Sequence, residues 1–260
     1  MEGQPKIQII PGDALVVLPT LEDASVEAII TDPPYSSGGQ SITARKQSPD
    51  TKYQHSGVAR RYPALLGDTR DQRSLLAWAA LWLAECWRIA KPGSPLLLFS
   101  DWRQLPLFSD AIQAGGWTWR GLIVWDKTES ARPQQGSFRS QAEYILFASK
   151  GQWRPLVRDC LPGVLRHRVV PTEKNHINAK PVPLLEDLLR VLPAGATVLD
   201  PFVGGGSTAK ACANTGRSCI GIELNAETAE SASAFIEFNQ IKHHTIQKAE
   251  IPLFDEAVDL

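Results

Sequence analysis

The chain has 260 residues, 43% of them apolar, and a formal net charge of −1, enough to bury the core of one large domain and too balanced overall to name a partner by charge. Its four cysteines (Cys86, Cys160, Cys212, Cys219) form no Cys-x-x-Cys pair and no zinc-spaced set with histidine, so no metal is expected. No cationic, apolar leader opens the sequence, and the longest apolar run, Leu75 to Ala84, is ten residues, short of a bilayer span; a soluble, cytoplasmic protein without membrane contact is expected.

Lys6–Pro11 predicts a short strand closed by Gly12-Asp13, with a brief helix over Ala14–Leu18. Ser25–Thr31 is a second strand, apolar enough to be buried on both faces. It ends in Asp32-Pro33-Pro34-Tyr35, which can neither extend a ladder nor enter a helix smoothly. Residues 36–67 follow without any period, and Ser36 to Leu66 holds five Lys/Arg (Arg45, Lys46, Lys52, Arg60, Arg61) against one acid, a local +4. A loop of that length inside a compact domain is functional or disordered.

Asp71 to Ala90 predicts a long helix with Leu75, Trp78, Ala79, Trp82, Cys86 and Ile89 along one face, stopped by Lys91-Pro92-Gly93. Pro95–Ser100 is a buried strand and Leu105–Ala114 a helix; strands over Trp117–Trp125 and Glu143–Ala148 flank a polar, basic loop. Residues 151–179 read as irregular and basic. From Arg132 to Lys180 nine Lys/Arg face three acids, a local +6, whereas Glu223 to Leu260 has eight acids against two lysines, a local −6. This split marks a polyanion-facing side and a solvated far side. The remaining pattern is helix Pro183–Leu192, strand Thr197–Leu199, helix Ser207–Thr215, strand Cys219–Glu223, helix Ala226–Gln240 and an acidic tail at 241–260.

Alternating short buried strands and helices predict an α/β domain with a mostly parallel sheet. Ligands on such sheets sit at the carboxyl ends of strands. Gly12-Asp13, Asp32–Tyr35, Asp101-Trp102, Asp200–Thr208 and Glu223 all fall at predicted strand ends, so one crevice is expected to collect them.

Val198 to Thr208 reads as strand, tight turn and helix start around Gly204, Gly205 and Gly206. Such glycines let backbone pass close to a bound molecule, and Ser207 or Thr208 is expected to cap the helix. Glu223 ends the next strand, nineteen residues after Gly204, where a carboxylate can accept both hydroxyls of a ribose. No Gly-Lys-Ser/Thr is present, which disfavours a triphosphate loop. A dinucleotide and a nucleoside with a carboxylate tail, such as S-adenosylmethionine, both stay open on this loop alone.

Asp-Pro-Pro-Tyr offers a definite chemistry. The exocyclic amine of adenine or cytosine is a poor nucleophile because its lone pair is delocalised into the ring. Two acceptors on its hydrogens, the Asp32 carboxylate and the Pro33 carbonyl, would hold the nitrogen toward tetrahedral geometry and localise that pair. Tyr35 is a stacking platform for a base taken out of its helix. Asp32 would also stabilise the positive charge that develops on nitrogen.

Asp-Pro-Pro-Tyr followed far downstream by Asp200-Pro201-Phe202-x-Gly204-x-Gly206 resembles the S-adenosylmethionine-dependent DNA amino-methyltransferases, in the permuted β-class order with the catalytic motif first. The likeness runs over about residues 6–240 and includes Ile10–Asp13, Arg88–Gly93, Glu143–Leu146 and Lys180-Pro181. It implies a doubly wound, Rossmann-like methyltransferase fold, circularly permuted in motif order, as a single catalytic domain over 1–240. It further implies Asp32, Pro33, Pro34 and Tyr35 on the target base. For the cofactor it implies Asp200, Phe202, Gly204 and Gly206 in the pocket, Glu223 on the ribose and Asp13 at the adenine edge. Lys180, Ser207 and Thr208 are implied near the methionine end.

Asp in first place resembles the adenine 6-amino enzymes, whereas cytosine 4-amino enzymes more often carry Ser. The implied partner is DNA, met by the basic loop 36–67 and by a short target-recognition segment at 150–179. Arg154, Arg166 and Arg168 join Arg45, Lys46, Lys52, Arg60 and Arg61 as candidate DNA contacts. A homodimer and a cognate restriction nuclease are further partners that members of the class have. Methylation at cytosine carbon 5 is disfavoured, since no cysteine here follows a proline. Protein amide methylation, which uses a related turn with Asn first, and a DNA-binding module with a degenerate cofactor site are the alternatives from other classes.

Overall fold

Ala28-Ile29-Ile30 is apolar at every position because both faces of its strand are covered. Ile29 packs with one core cluster, together with Leu96, Leu98, Leu146 and Leu199. Ala28 and Ile30 pack with the other, together with Leu97, Phe99, Ile145 and Val198. A strand's side chains alternate between faces, and a central parallel strand therefore needs apolar residues on both. The computed structural model describes residues 5–36, 70–131, 133, 135–169 and 179–236.

Among the described residues eight strands form one sheet: β1 (Ile7–Pro11), β2 (Ala28–Thr31), β3 (Pro95–Ser100), β4 (Thr118–Asp126), β5 (Ala142–Ser149), β6 (Val164–Arg166), β7 (Thr197–Asp200) and β8 (Ser218–Glu223). Their order is β1-β8-β7-β2-β3-β5-β4-β6. Only β5 runs against its neighbours, pairing antiparallel with both β3 and β4; the remaining pairs are parallel.

Helices α2 (Gln72–Ile89) and α3 (Leu105–Ala114) cover the Ile29 face, through Ala79, Trp82, Leu83, Phe108 and Ala111. Helices α4 (Val182–Leu189) and α5 (Ser207–Asn214) cover the other, through Leu184, Leu188, Ala209 and Cys212. The short α1 spans Ala14–Val17, and residues 226–236 are helical, with Ile236 in the second core cluster. Asp71 starts α2 by accepting from the Arg73 and Ser74 amides at 3.0 and 2.9 Å, the N-cap role expected of aspartate.

This is the α/β fold with a mostly parallel sheet expected from the alternation, doubly wound as the resemblance implies. The strand β6 falls inside 151–179, where no strand is expected, because its three residues show no alternation that could be read against the basic background. The bulk of loop 36–67 and all of the tail 241–260 lie outside the described residues.

Candidate active site

The chain leaves β2 toward β3 on one side of the sheet and leaves β7 toward β8 on the other, so these two neighbouring strands flank the point where strand order reverses. A crevice opens at the carboxyl ends of such strands. Here each of the two ends in Asp-Pro: Asp32-Pro33 and Asp200-Pro201.

The ends are tied together by Thr31, whose hydroxyl donates to Asp200 Oδ1 at 2.7 Å. Asp200 also accepts from the Phe202 amide at 3.0 Å and from the Thr208 hydroxyl. Only 2% exposed, it is a fastener beneath the glycine loop. Thr208 is buried with it, and the N-cap of α5 is Gly206 without a side-chain bond. This corrects the expectation that Ser207 or Thr208 caps the helix: a buried carboxyl needs donors more than an exposed helix end does.

Burial pushes the Asp200 carboxyl up to about 6, against the lowering effect of Thr208, Thr31 and the Phe202 amide. An acid whose folded pKa exceeds its unfolded one adds stability below the unfolded value and loses it as pH rises through the folded value. Stability is therefore expected to fall by about 3 kcal/mol from this group between about pH 4 and about pH 6. Urea titrations of wild type and Asp200→Asn should diverge by that amount across this window; a constant difference between them would refute the assignment.

Gly204 and Gly206 stand at φ 51° and 86°, left-handed values that favour glycine. At Gly206 space is also short, since a Cβ would lie 3.1 Å from that of Ala232. The Gly204 amide donates to Glu223 Oε2 at 3.1 Å and the Asn225 amide to Oε1 at 2.9 Å, which leaves each oxygen a further acceptor position. Burial raises the Glu223 carboxyl, against these amide bonds.

The Gly12 amide donates to the Glu223 carbonyl at 2.9 Å, setting Asp13 beside Glu223 at the ends of adjacent strands. Asp13 accepts from Leu15 at 2.9 Å as the cap of α1. Phe202 turns to α2, its ring 5.3 and 5.0 Å from those of Trp78 and Trp82. Asp13, Gly204 and Glu223 thus gather at the ends of β1, β7 and β8, while Asp200 and Thr208 support the loop from inside.

At the end of β2 the Tyr35 hydroxyl donates to Asp32 Oδ1. Lys180 Nζ lies 2.8 Å from Asp32 Oδ2 and 3.1 Å from Glu143 Oε2, and Lys127 bonds Glu143 Oε1 at 2.9 Å. The Lys180 ammonium also stands 5.2, 5.5 and 5.9 Å from the ring centres of Phe99, Tyr35 and Trp125, a cation seat of three rings and two carboxylates.

Burial alone would lower Lys180, but the carboxylates of Asp32 and Glu143 outweigh it and hold the ammonium above its usual range. Burial would raise Glu143, but Lys180 and Lys127 carry it down to about 2. Asp32 is raised by burial, which Lys180 only partly offsets. Tyr35 is raised well above its ordinary value by burial and the Asp32 charge.

Lys180, expected at the methionine end of a cofactor, therefore has its polar partners in the Asp32 group. Glu143, Lys127, Phe99 and Trp125 were not anticipated as site residues. Glu143 opens β5 as an acid before an apolar run, and Lys127 follows β4, so each carried a faint mark in the sequence that only the strand pairing joins.

Of the candidate DNA contacts, Arg166 and Arg168 are exposed at the site end of β6. Arg166 faces Asp126 at 3.5 Å and Glu129 at 3.9 Å. Arg154 stands apart from these two. Its side chain packs on Gly93, ahead of the amino end of β3, at the opposite end of the sheet from Asp32. The antiparallel β5 causes this, since its exit at Ser149 pairs with Pro95. Arg45, Lys46, Lys52, Arg60 and Arg61 lie outside the described residues. The ends of that stretch are joined, the Arg70 amide donating to Ser36 Oγ at 3.1 Å. Among the described residues no cluster of metal-ligating side chains occurs and no helix is long and apolar enough to cross a membrane.

The sequence model of a family described as DNA methylase matches residues 26–162 and 160–234. A protein of Escherichia coli (strain K12) named as a methylase, YubD, is 31% identical over 219 residues, 84% of each chain. The DNA adenine methyltransferase YhdJ of the same organism is 26% identical over 84% of this chain and 79% of its own. Among solved structures, the M1.HpyAVI complex with SAM superposes with a TM-score of 0.62 at 22% identity, covering 88% of this chain and 99% of that one. The PvuII DNA methyltransferase, titled cytosine-N4-specific, gives 0.64 at 14% identity over 88% and 86%. These two likenesses show a shared fold.

Proposed function

The chain belongs to the DNA methylase family, and from that premise we propose that it transfers the methyl group of S-adenosylmethionine to the exocyclic 6-amino group of adenine in DNA. The observation that carries the reading is the pairing at the switch point, where an acceptor turn ending β2 and a glycine loop ending β7 are joined by the Thr31–Asp200 bond.

S-adenosylmethionine fits the residues present. Glu223 keeps acceptor positions for ribose hydroxyls, Asp13 stands beside it, and a Cβ at Gly204 would meet only the Phe202 carbonyl, at 4.0 Å. Bound there, the cofactor supplies an electrophilic sulfonium methyl. The chain's own part is played by Asp32 and Pro33, which accept the two amine hydrogens and localise the nitrogen lone pair. Tyr35 bears on the base. Asp32 stabilises the charge gained by nitrogen as the N–C bond forms and the S–C bond breaks, then takes the surplus amine proton and passes it to water. Arg166 and Arg168, on the rim at the same end, are suited to phosphate.

Aspartate in first place supports adenine, as does the likeness to YhdJ. Cytosine 4-amino transfer is the second reading, favoured by the fold shared with an enzyme titled cytosine-N4-specific. Incubation with labelled S-adenosylmethionine and unmethylated DNA, followed by nucleoside analysis, is expected to give N6-methyladenine. N4-methylcytosine would replace the adenine reading, and unlabelled DNA with folded protein would overturn both.

A further inference from the structure

Both oxygens of Asp32 are occupied, Oδ1 by the Tyr35 hydroxyl and Oδ2 by the Lys180 ammonium. Each oxygen has a second acceptor position, but an amine hydrogen arriving at Oδ2 competes there with a charged donor, which binds a carboxylate more strongly than a neutral amine does. Next to Lys180 stands an acceptor with capacity to spare: Glu143 Oε2 is buried, makes no aligned hydrogen bond, and has that ammonium at 3.1 Å. We propose that Glu143 is a positioning residue that receives the Lys180 ammonium when the target amine takes its place on Asp32 Oδ2. The inference rests on the amine-methylation reading and names two residues that act through Asp32.

The geometry makes this exchange inexpensive. Lys180 sits between the two carboxylates, so moving from one to the other needs a small side-chain shift and leaves its ring neighbours in place. Glu143 is itself anchored by Lys127 on its other oxygen and so stays fixed while Lys180 moves. Two cations and two carboxylates leave the cluster neutral in both arrangements, and a buried cluster with an uncompensated charge is strongly unfavourable. Lys180 also stays near Asp32 throughout, so the carboxylate remains ionised in a dry pocket without being blocked.

Among the described residues, the groups facing Asp32 are Tyr35 on its own turn, Lys180 ahead of α4, Glu143 on β5 with Lys127 behind it just after β4, and Asp200 at the end of β7. Asp101, after β3, reaches Tyr35 electrostatically. Tyr35 has its ionisation pushed upward, and Lys180 stays protonated, so neither supplies the acid limb of a rate profile.

The test is the pH dependence of kcat for methyl transfer to DNA in wild type, Glu143→Gln and Lys180→Met, with S-adenosylhomocysteine binding measured by calorimetry. Without the Glu143 charge, Lys180 has one ionised partner left and stays on Asp32. The carboxylate then ionises more readily, so the acid limb moves to lower pH while kcat falls about 10- to 100-fold. In Lys180→Met the carboxylate loses its cation, so the acid limb moves to higher pH. DNA KM and S-adenosylhomocysteine affinity are expected to stay near wild type in Glu143→Gln.

Opposite displacements of the acid limb show that both charges act on Asp32. A fall of kcat at the plateau of the Glu143→Gln profile, with S-adenosylhomocysteine affinity kept, supports the exchange, because a fixed charge moves the limb and not the plateau. An active wild type whose Glu143→Gln variant keeps its kcat and profile would overturn the inference alone, since the amine would then bind Asp32 without any help from Glu143. Displacements of the same sign would overturn it too. A wild type that methylates no DNA amine would remove the functional reading and this inference with it.

Discussion

Replacing Asp32 by alanine is expected to lower methyl transfer by about 10³-fold or more while leaving S-adenosylhomocysteine binding nearly intact. The size follows from two duties lost together: accepting a hydrogen of the attacking amine and stabilising the charge that nitrogen gains. Cofactor binding should survive because the glycine loop, Glu223 and Asp13 are held by bonds that do not involve Asp32. The variant carries a complication of its own. The cluster of Lys127, Lys180, Asp32 and Glu143 is neutral, so removing one carboxylate leaves a net positive charge in a partly buried place. The double variant Asp32→Asn, Lys180→Met restores neutrality. It is expected to regain thermal stability relative to Asp32→Ala while staying inactive. Activity returning with stability would show that Asp32 matters only for folding, as would equal loss of transfer and cofactor binding in the single variant.

The parts of the site that were legible in the sequence are those whose residue types are costly or odd where they stand. Two prolines after an aspartate at a strand end and three glycines at a strand-to-helix turn have few structural uses, and each falls where an α/β sheet binds ligands. The Asp200 and Thr208 side chains were legible as members of the loop but not in their direction. Whether a carboxylate faces a ligand or the core depends on the donors around it, and here Thr31 arrives from a strand 169 residues away in sequence.

Glu143, Lys127 and Lys180 come from β5, the end of β4 and the approach to α4. What joins them is the placement of β5 between β3 and β4, which pairs Glu143 with Trp125 and Tyr144 with Ser100. No local period encodes that order. The same reversed strand carries Arg154 to the far end of the sheet, so one long-range pairing explains both the missed Glu143 and the distance of Arg154 from Asp32.

Trp82→Ala is expected to cost about 3–5 kcal/mol of stability, a large share of the roughly 5–15 kcal/mol that a domain possesses. Trp82 is fully buried on α2, its ring 5.9 Å from Trp78 and 5.0 Å from Phe202. Truncation would open a cavity directly beneath the turn that carries Gly204 and Gly206. The damage should therefore be read twice, as a lower denaturation midpoint and as weaker S-adenosylhomocysteine binding through the loosened Phe202. Trp82→Phe separates ring burial from polar chemistry. The indole Nε1 is buried without a hydrogen-bond partner, and leaving such a donor unsatisfied costs about 1–3 kcal/mol. Phenylalanine removes that N–H while keeping an aromatic ring against Phe202, so its smaller volume and the lost orphan donor should nearly cancel. Urea midpoints within a few tenths of wild type for Trp82→Phe, beside a large drop for Trp82→Ala, are the expected pair. A Trp82→Phe loss as large as that of alanine would mean that the indole N–H is bonded in the folded protein and that the aromatic seat under the glycine loop is polar as well as packed.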